Sequence, residues 1–139
     1  MSCSCTTYLP LPGPPGPPGP GGERVVLTGE AAVPLGGHRA VYRRPDGLID
    51  YASATDPGHM AVPIWITTGA AAAGDTVTMV AVGGITEGSW SWAPGPIFLG
   101  AGGALVQALP PGALFLAVIA AASTATTVWV DRQPSIDLI

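Results

Sequence analysis

The sequence predicts an all-β domain, a small β-sandwich or barrel, behind an extended polyproline II N-terminal arm. Glycine and proline, which both interrupt helices, number 20 and 16 among 139 residues. Short β-branched or alternating runs between Gly/Pro turns give about eight to ten candidate strands. Three collagen-type triplets come before the first of these strands. We therefore expect an arm over residues 1–22 and a β-rich domain over residues 23–139.

The composition favours an oligomer. Hydrophobic residues make up 47% of the chain and charged residues only 10%, which is less than half the usual share of a soluble domain. Burial against neighbouring subunits is the simplest way to cover such a surface, because obligate interfaces are poor in charge. The formal net charge is −4 and the chain has no lysine, so we expect no nucleic acid partner.

The arm contains a stretch in which every third residue is glycine. Proline favours the polyproline II conformation, and glycine is the only residue that fits where three such chains meet. The stretch is either a stiff single-chain spacer or a place where three chains join. With a charge-poor β-domain behind it, we favour a trimer stalk made of Gly13, Pro14, Pro15, Gly16, Pro17, Pro18 and Gly19.

Both cysteines, Cys3 and Cys5, precede the triplets. A bond between them would be strained, since only one residue separates them. In a trimer six thiols would converge, which suits an interchain disulfide or a thiolate metal site. The alternative is a pair of free thiols in a frayed terminus. The spacing is not that of a zinc finger, so we assign no metal.

The first half of the domain reads as strands separated by turns. Residues 23–28 and 38–43 are β-branched or alternating, and residues 48–52 follow a strong turn at Arg44-Pro45-Asp46-Gly47. These features predict a hairpin across that turn. Another strand is expected over 62–67. Residues 75–82 alternate strictly, and Gly83-Gly84 is expected to end that strand.

The second half continues the pattern. Residues 96–99 and 104–107 flank a glycine-rich turn at 100–103 and predict a second hairpin. Residues 114–121 form a continuous apolar strand or a short helix, because periodicity alone does not separate the two. A last strand is expected over 124–130.

No pattern of catalytic residues is visible. His38 and His59, the two histidines, lack the spacing of metal ligands, and no serine lies in a Gly-x-Ser-x-Gly motif. Most aspartates sit at turns, where they cap their own backbone. We therefore expect no enzyme activity, no cofactor and no metal. The longest apolar run has ten residues, half of what a bilayer span needs, so we expect no membrane partner.

Two tryptophans stand close together in Ser89-Trp90-Ser91-Trp92. If this segment is a strand, Trp90 and Trp92 share one face. They could stack on a sugar or a base, or be buried in the core or in a subunit interface. Burial is favoured, because carbohydrate sites usually pair aromatic rings with several acidic or amide groups. The chain has no asparagine, and its glutamines are Gln107 and Gln133.

From about Gly36 onward the chain resembles the small β-rich modules of tailed-bacteriophage virions. These are the capsid-decorating (cement) proteins and the related head-fibre and tail-fibre base proteins. The resemblance covers roughly the last hundred residues and is carried by turns and strand edges. They are Gly37 to Tyr42, Asp46-Gly47 to Ala52, Thr68 to Ala71, Ala73 to Val77 with a closing Gly83 or Gly84, Ser89 to Trp92, Gly95 to Gly100 and Gly103 to Leu105.

The resemblance implies a non-enzymatic structural role in the virion. Such proteins sit on the capsid or anchor a fibre, as trimers or monomers, so the expected partners are further copies in a homotrimer and the major capsid protein or another virion protein. Short collagen-like triplets are common in phage fibre proteins, whereas decoration proteins often lack a proline arm. Location at the capsid surface or the tail is thus open. The alternative function is a tail-fibre or adhesin component that binds host-surface carbohydrate through exposed Trp90 and Trp92.

Overall fold

The structure, a computed structural model, describes residues 24–138. The arm with its triplets, the trimer stalk and both cysteines lie outside the described residues. Within them the all-β prediction is confirmed, since the one helical element there is a single 3-10 turn at Pro57–His59. No helix in residues 24–138 has the length and apolar character needed to cross a bilayer.

Eleven strands are formed in the described part of the chain, and most follow the runs that the sequence marks. They are β1 (Val25–Glu30), β2 (Ala40–Arg43), β3 (Ile49–Tyr51), β4 (Trp65–Thr67), β5 (Thr76–Thr86), β6 (Gly95–Leu99), β7 (Leu105–Val106), β8 (Phe115–Leu116), β9 (Val118–Ala122), β10 (Thr127–Asp131) and β11 (Ile136–Asp137).

The two predicted hairpins, β2–β3 and β6–β7, are confirmed. Asp46 shows why the first turn is stable, because its carboxylate accepts from the Leu48 N–H at 3.1 Å and pairs with Arg44 at 2.6 Å. The hydrogen bond from the Leu48 N–H lowers the pKa of Asp46, and the hydrogen bond and charge of Arg44 lower it to a smaller extent. The apolar run at 114–121 is extended, so the strand alternative holds there.

One strand boundary was predicted wrongly. The strand that begins at Thr76 does not end at Gly83-Gly84 but continues to Thr86. Gly83 lies in the strand at a φ of 134°, and Arg24 packs against its backbone in the space that a side chain would need. The glycine here allows a close approach of β1 rather than a turn.

Nine of the strands form one curled antiparallel sheet with β5 at its centre. The order is β3-β2-β4-β5-β10-β9-β6-β7, and β1 pairs with β5 outside this path. The long β5 pairs with β4 at residues 79–80, with β1 along residues 76–82 and with β10 along residues 82–86. The remaining strands, β8 and β11, form a separate two-stranded sheet.

The two ends of the curled sheet meet at the β6–β7 turn. Gly103 accepts a hydrogen bond from the Ala40 N–H at 2.9 Å and donates its own N–H to Ala52 at 2.7 Å. The Ala54 N–H donates to Gly100 at 2.9 Å. These bonds connect β2 and the segment after β3 to the far end of the strand order, so the sheet encloses its core.

Buried side chains lie on both faces of β2 and β5, because consecutive residues such as Ala40 and Val41, or Met79 and Val80, are fully buried. Large side chains such as Phe115, Ile66 and Ile119 are fully buried. They are interleaved with buried alanines, whose small side chains leave room for the backbones of a tightly curled sheet to approach. The buried alanines are Ala31, Ala40, Ala52, Ala54, Ala117, Ala120 and Ala122.

Candidate functional site

The most distinctive surface feature is an open groove whose wall is aromatic. The rings of Trp90 and Trp92 lie 5.8 Å apart between centroids and are tilted by 58°. His38 continues the row, with its ring 5.0 Å from that of Trp90 and tilted by 60°. We call this site the aromatic groove; it encloses about 440 Å³ and is lined by Gly37, His38, Arg39, Glu87, Ser89, Trp90, Trp92 and Leu105.

The tryptophans are held by a loop and not by a strand. Strand alternation was the wrong reason to place them on one face, because the chain between β5 and β6 is irregular. The backbone N–H of Trp92 donates to the Ala125 carbonyl at 2.9 Å, and the backbone N–H of Trp90 donates to the Glu87 carbonyl at 3.1 Å. Both side chains are half-buried and pack against core residues.

The far end of the tryptophan loop is clamped by Gln107. Its side-chain oxygen accepts from the Ala93 N–H at 3.1 Å, and its amide nitrogen donates to the Ala93 carbonyl at 2.6 Å. A bond at Trp92 and a two-point clamp one residue later leave the loop little freedom. The groove wall is therefore organised before any ligand arrives.

His38 reaches the groove because the chain before β2 takes an unusual turn. It has a φ of 56°, and within residues 24–138 it is the one non-glycine residue with a positive φ. The fully buried Thr67 hydroxyl holds this turn, since it donates to the Gly36 carbonyl at 2.7 Å and accepts from the Arg39 N–H at 2.9 Å. Histidine tolerates the left-handed region better than most residues, so few bonds suffice to keep it there.

Opposite charges stand at the rim of the groove. The Glu87 carboxylate accepts from the Ser89 hydroxyl at 2.6 Å and from the Ser89 N–H at 3.1 Å, both at Oε2. These two bonds, with a smaller contribution from His38, lower the pKa of Glu87, so it is ionised at neutral pH. Arg39, which also lines the groove, is exposed.

One donor in the groove wall is unsatisfied. The indole N–H of Trp92 is buried and has no hydrogen-bond partner among the described residues. Buried polar groups in folded proteins nearly always have a partner, so this N–H has unused bonding capacity at the groove.

The structure thus surrounds the predicted tryptophans with groups that sequence reasoning left apart. His38 and Arg39 join Trp90 and Trp92 only through tertiary contacts, whereas Glu87 and Ser89 are neighbours of the tryptophans in sequence. His59 lies elsewhere and is structural, since it is buried, accepts from the Ser53 N–H at 2.9 Å and contacts the Tyr42 ring. No group of three or more metal-binding side chains converges within residues 24–138.

A second surface feature is an apolar row on the convex side of the sheet. Directly opposed residues on adjacent strands share a face, and here the register places Pro96 opposite Ala121, Ala121 opposite Trp129, and Trp129 opposite Gly84. Trp129 is 38% exposed. The row continues along β5 and β1, and we call the whole set the outer face: Pro96, Ala121, Trp129, Gly84, Val82 and Val25.

Comparison with known proteins gives one structural likeness. No protein-family model and no curated protein matches the chain. Among solved structures, it is similar to the N base of the head fibre gp8.5 of bacteriophage phi29, with 19% sequence identity and a TM-score of 0.42, over 82% of this chain and 98% of that one.

Proposed function

We propose that this chain is a non-enzymatic structural protein of a phage virion that assembles as a homotrimer. It decorates or cements the capsid, or anchors a head fibre, and its partners are further copies of itself and the major capsid protein or another virion protein. The observation that carries the proposal is the outer face, which offers an apolar, in-register surface to another subunit. The resemblance of roughly the last hundred residues to virion modules supplies the setting.

The outer face has the chemistry of a subunit contact. Val25 is 50% exposed and Val82 36% exposed, and they lie opposite each other in the β1–β5 pairing. Trp129 lies opposite Ala121 and Gly84, while Asp131 lies opposite Val82 and adds one charged group to this face. Burial of such area contributes about 25 cal/mol for each Å² removed from water, and aromatic residues are enriched in interfaces.

The place where the arm joins the domain fits the same assembly. Val25 of the outer face lies six residues after Gly19, the last glycine proposed for the stalk. If three chains meet at Gly13, Gly16 and Gly19, their outer faces begin close to a common axis. Three triplets are too few to hold a triple helix alone, so the domain face would provide the main contact.

A structural role also agrees with how the polar groups of the groove are engaged. A serine nucleophile needs a base within hydrogen-bond reach. The Ser89 hydroxyl donates to the ionised Glu87, and it has no hydrogen bond to His38 within the described part of the chain. This supports a binding surface over a hydrolytic one.

The proposal predicts a trimer in solution. Light scattering of the full chain at micromolar concentration, coupled to size exclusion, should give three times the chain mass of 13.9 kDa. Trp129→Glu should release monomers, because three buried carboxylates would face an apolar interface. Leu109→Glu is the matched control, as Leu109 is 40% exposed but lies off the outer face, and it should leave the trimer intact. A monomer both before and after reduction of the cysteines would contradict the proposal.

The location in the virion is tested separately. An antibody or gold label against the chain, viewed by electron microscopy on intact particles, should decorate the head surface. Labelling confined to the tail would replace the capsid role by a tail-fibre role. An unlabelled particle would rule out a virion protein.

A further inference from the structure

We propose that the aromatic groove binds a pyranose sugar. This inference goes beyond the structural role, because the groove lies within a single subunit and needs no assembly. It assigns the site a ligand class on three grounds: the row of rings, the mixture of acceptors and donors, and the rigidity of the wall.

The shape of the groove suits a sugar ring. A pyranose has a face of C–H groups that packs flat on an aromatic ring, while its hydroxyls point outward. Trp90 and Trp92 provide two half-exposed ring faces, and His38 extends the row at a similar spacing. The volume of about 440 Å³ falls within the range of roughly 300–1,000 Å³ typical of small-molecule sites.

The polar groups supply what sugar hydroxyls require. Each hydroxyl both donates and accepts, so a sugar site needs both kinds of partner. The Glu87 carboxylate uses Oε2 for its bonds to Ser89, which leaves Oε1 as a charged acceptor. Exposed Arg39 provides donors. The acidic group is Glu87, which lies three residues before Trp90 in the chain.

A nucleotide fits the same groove less well. Stacking alone would suit a base, but nucleotide sites depend on several cations around the phosphate. Here the rim holds one arginine and one ionised glutamate, so its charge is balanced. A neutral ligand with many hydroxyls is the better match.

The rigid wall of the groove favours binding of a small ligand. The Gln107 clamp, the Trp92–Ala125 bond and the Thr67 bonds fix the three rings without a ligand. Binding then costs little ordering of the protein, which improves affinity for a small ligand.

Calorimetric titration of the full chain tests the assignment. The probes are the methyl glycosides of glucose, galactose, mannose and N-acetylglucosamine, the corresponding di- to tetrasaccharides, and adenosine monophosphate. At least one glycoside or oligosaccharide should bind, and adenosine monophosphate should not. Trp90→Ala or Trp92→Ala should weaken that binding about tenfold, the size expected for a lost aromatic contact.

Two kinds of variant keep the test decisive. Arg39→Ala and Glu87→Gln change rim groups without opening the core, and each should weaken the same sugar about threefold to tenfold even if a tryptophan variant fails to fold. Leu109→Ala is the control, because Leu109 is 40% exposed and lies outside both the groove and the outer face; this variant should bind normally. No heat with any sugar, binding of adenosine monophosphate alone, or equal loss in Leu109→Ala would overturn the inference. Each of these outcomes is independent of whether the chain forms a trimer.

Discussion

Replacing Gly103 with alanine is expected to lower the free energy of unfolding by about 2–5 kcal/mol, from a left-handed backbone penalty together with steric overlap. Gly103 has a φ of 86° and is buried where the two ends of the sheet meet. An added Cβ would collide with the Tyr51 ring and come within 3.1 Å of the Ala40 carbonyl oxygen. Neither neighbour moves easily, since Tyr51 also accepts a hydrogen bond from the Gly36 N–H.

The neighbouring residue provides the control. Gly102 also has a positive φ, of 59°, but its added Cβ would contact nothing within 4 Å. Gly102→Ala should therefore cost only the backbone penalty, about 1 kcal/mol. Urea denaturation followed by circular dichroism measures both variants. Equal urea midpoints for Gly103→Ala and Gly102→Ala would show that the close packing of Gly103 against Tyr51 and Ala40 does not stabilise the fold.

The Gly103→Ala substitution should also affect the aromatic groove. Gly103 bonds to Ala40, the residue after Arg39, and lies two positions before Leu105, which lines the groove. A shift at the hydrogen bond between Gly103 and Ala40 would move Leu105 relative to Arg39, and both residues line the groove. Gly103→Ala should thus weaken sugar binding as well as stability, whereas Gly102→Ala should leave binding unchanged.

Phe115→Ala should be about as damaging, with a loss of about 3–5 kcal/mol as for other buried phenylalanines cut to alanine. Phe115 is fully buried among core residues that include Ile64, Leu99 and Ile119. Removing its ring leaves a cavity, and the surrounding strands are held by the sheet and cannot collapse into it. The measurement is the same urea unfolding series.

The chain contains one other phenylalanine, and it makes a matched comparison. Phe98 lies on β6 with a half-buried side chain, on the face opposite to the buried Ile97 and Leu99. Phe98→Ala should lower the free energy of unfolding by roughly half as much or less, because Phe98 buries less apolar area on folding than Phe115 does. A loss at Phe98 equal to that at Phe115 would contradict this placement of the core.

Much of the fold could be predicted from local patterns. The turn at Arg44 to Gly47 depends on proline and glycine at defined turn positions and on Asp46 capping its own backbone, so its position was correct. The apolar run at 114–121 was ambiguous, because a buried strand and a buried helix look alike in sequence. Gly83 was misjudged since glycine marks a turn or a close approach equally well, and only the packing of Arg24 distinguishes the two.

The candidate site was predictable only in part. Trp90 and Trp92 stand out in sequence because they are large and two residues apart. Glu87 and Ser89 are their neighbours, yet nothing in the sequence indicates that Glu87 is ionised or that one of its oxygens stays available. His38 and Arg39 come from the start of β2, and their approach depends on Thr67 in β4.

The sequence by itself determined the all-β class, the positions of the turns and the pair of tryptophans, because these depend on residues close together in the chain. The tertiary structure decided the strand order, the closure at Gly103, the aromatic groove and the outer face. The physical reason is that these features arise where separate strands pair and pack. Register across the sheet aligns Pro96, Ala121, Trp129 and Gly84 into one row, and no single segment contains that information.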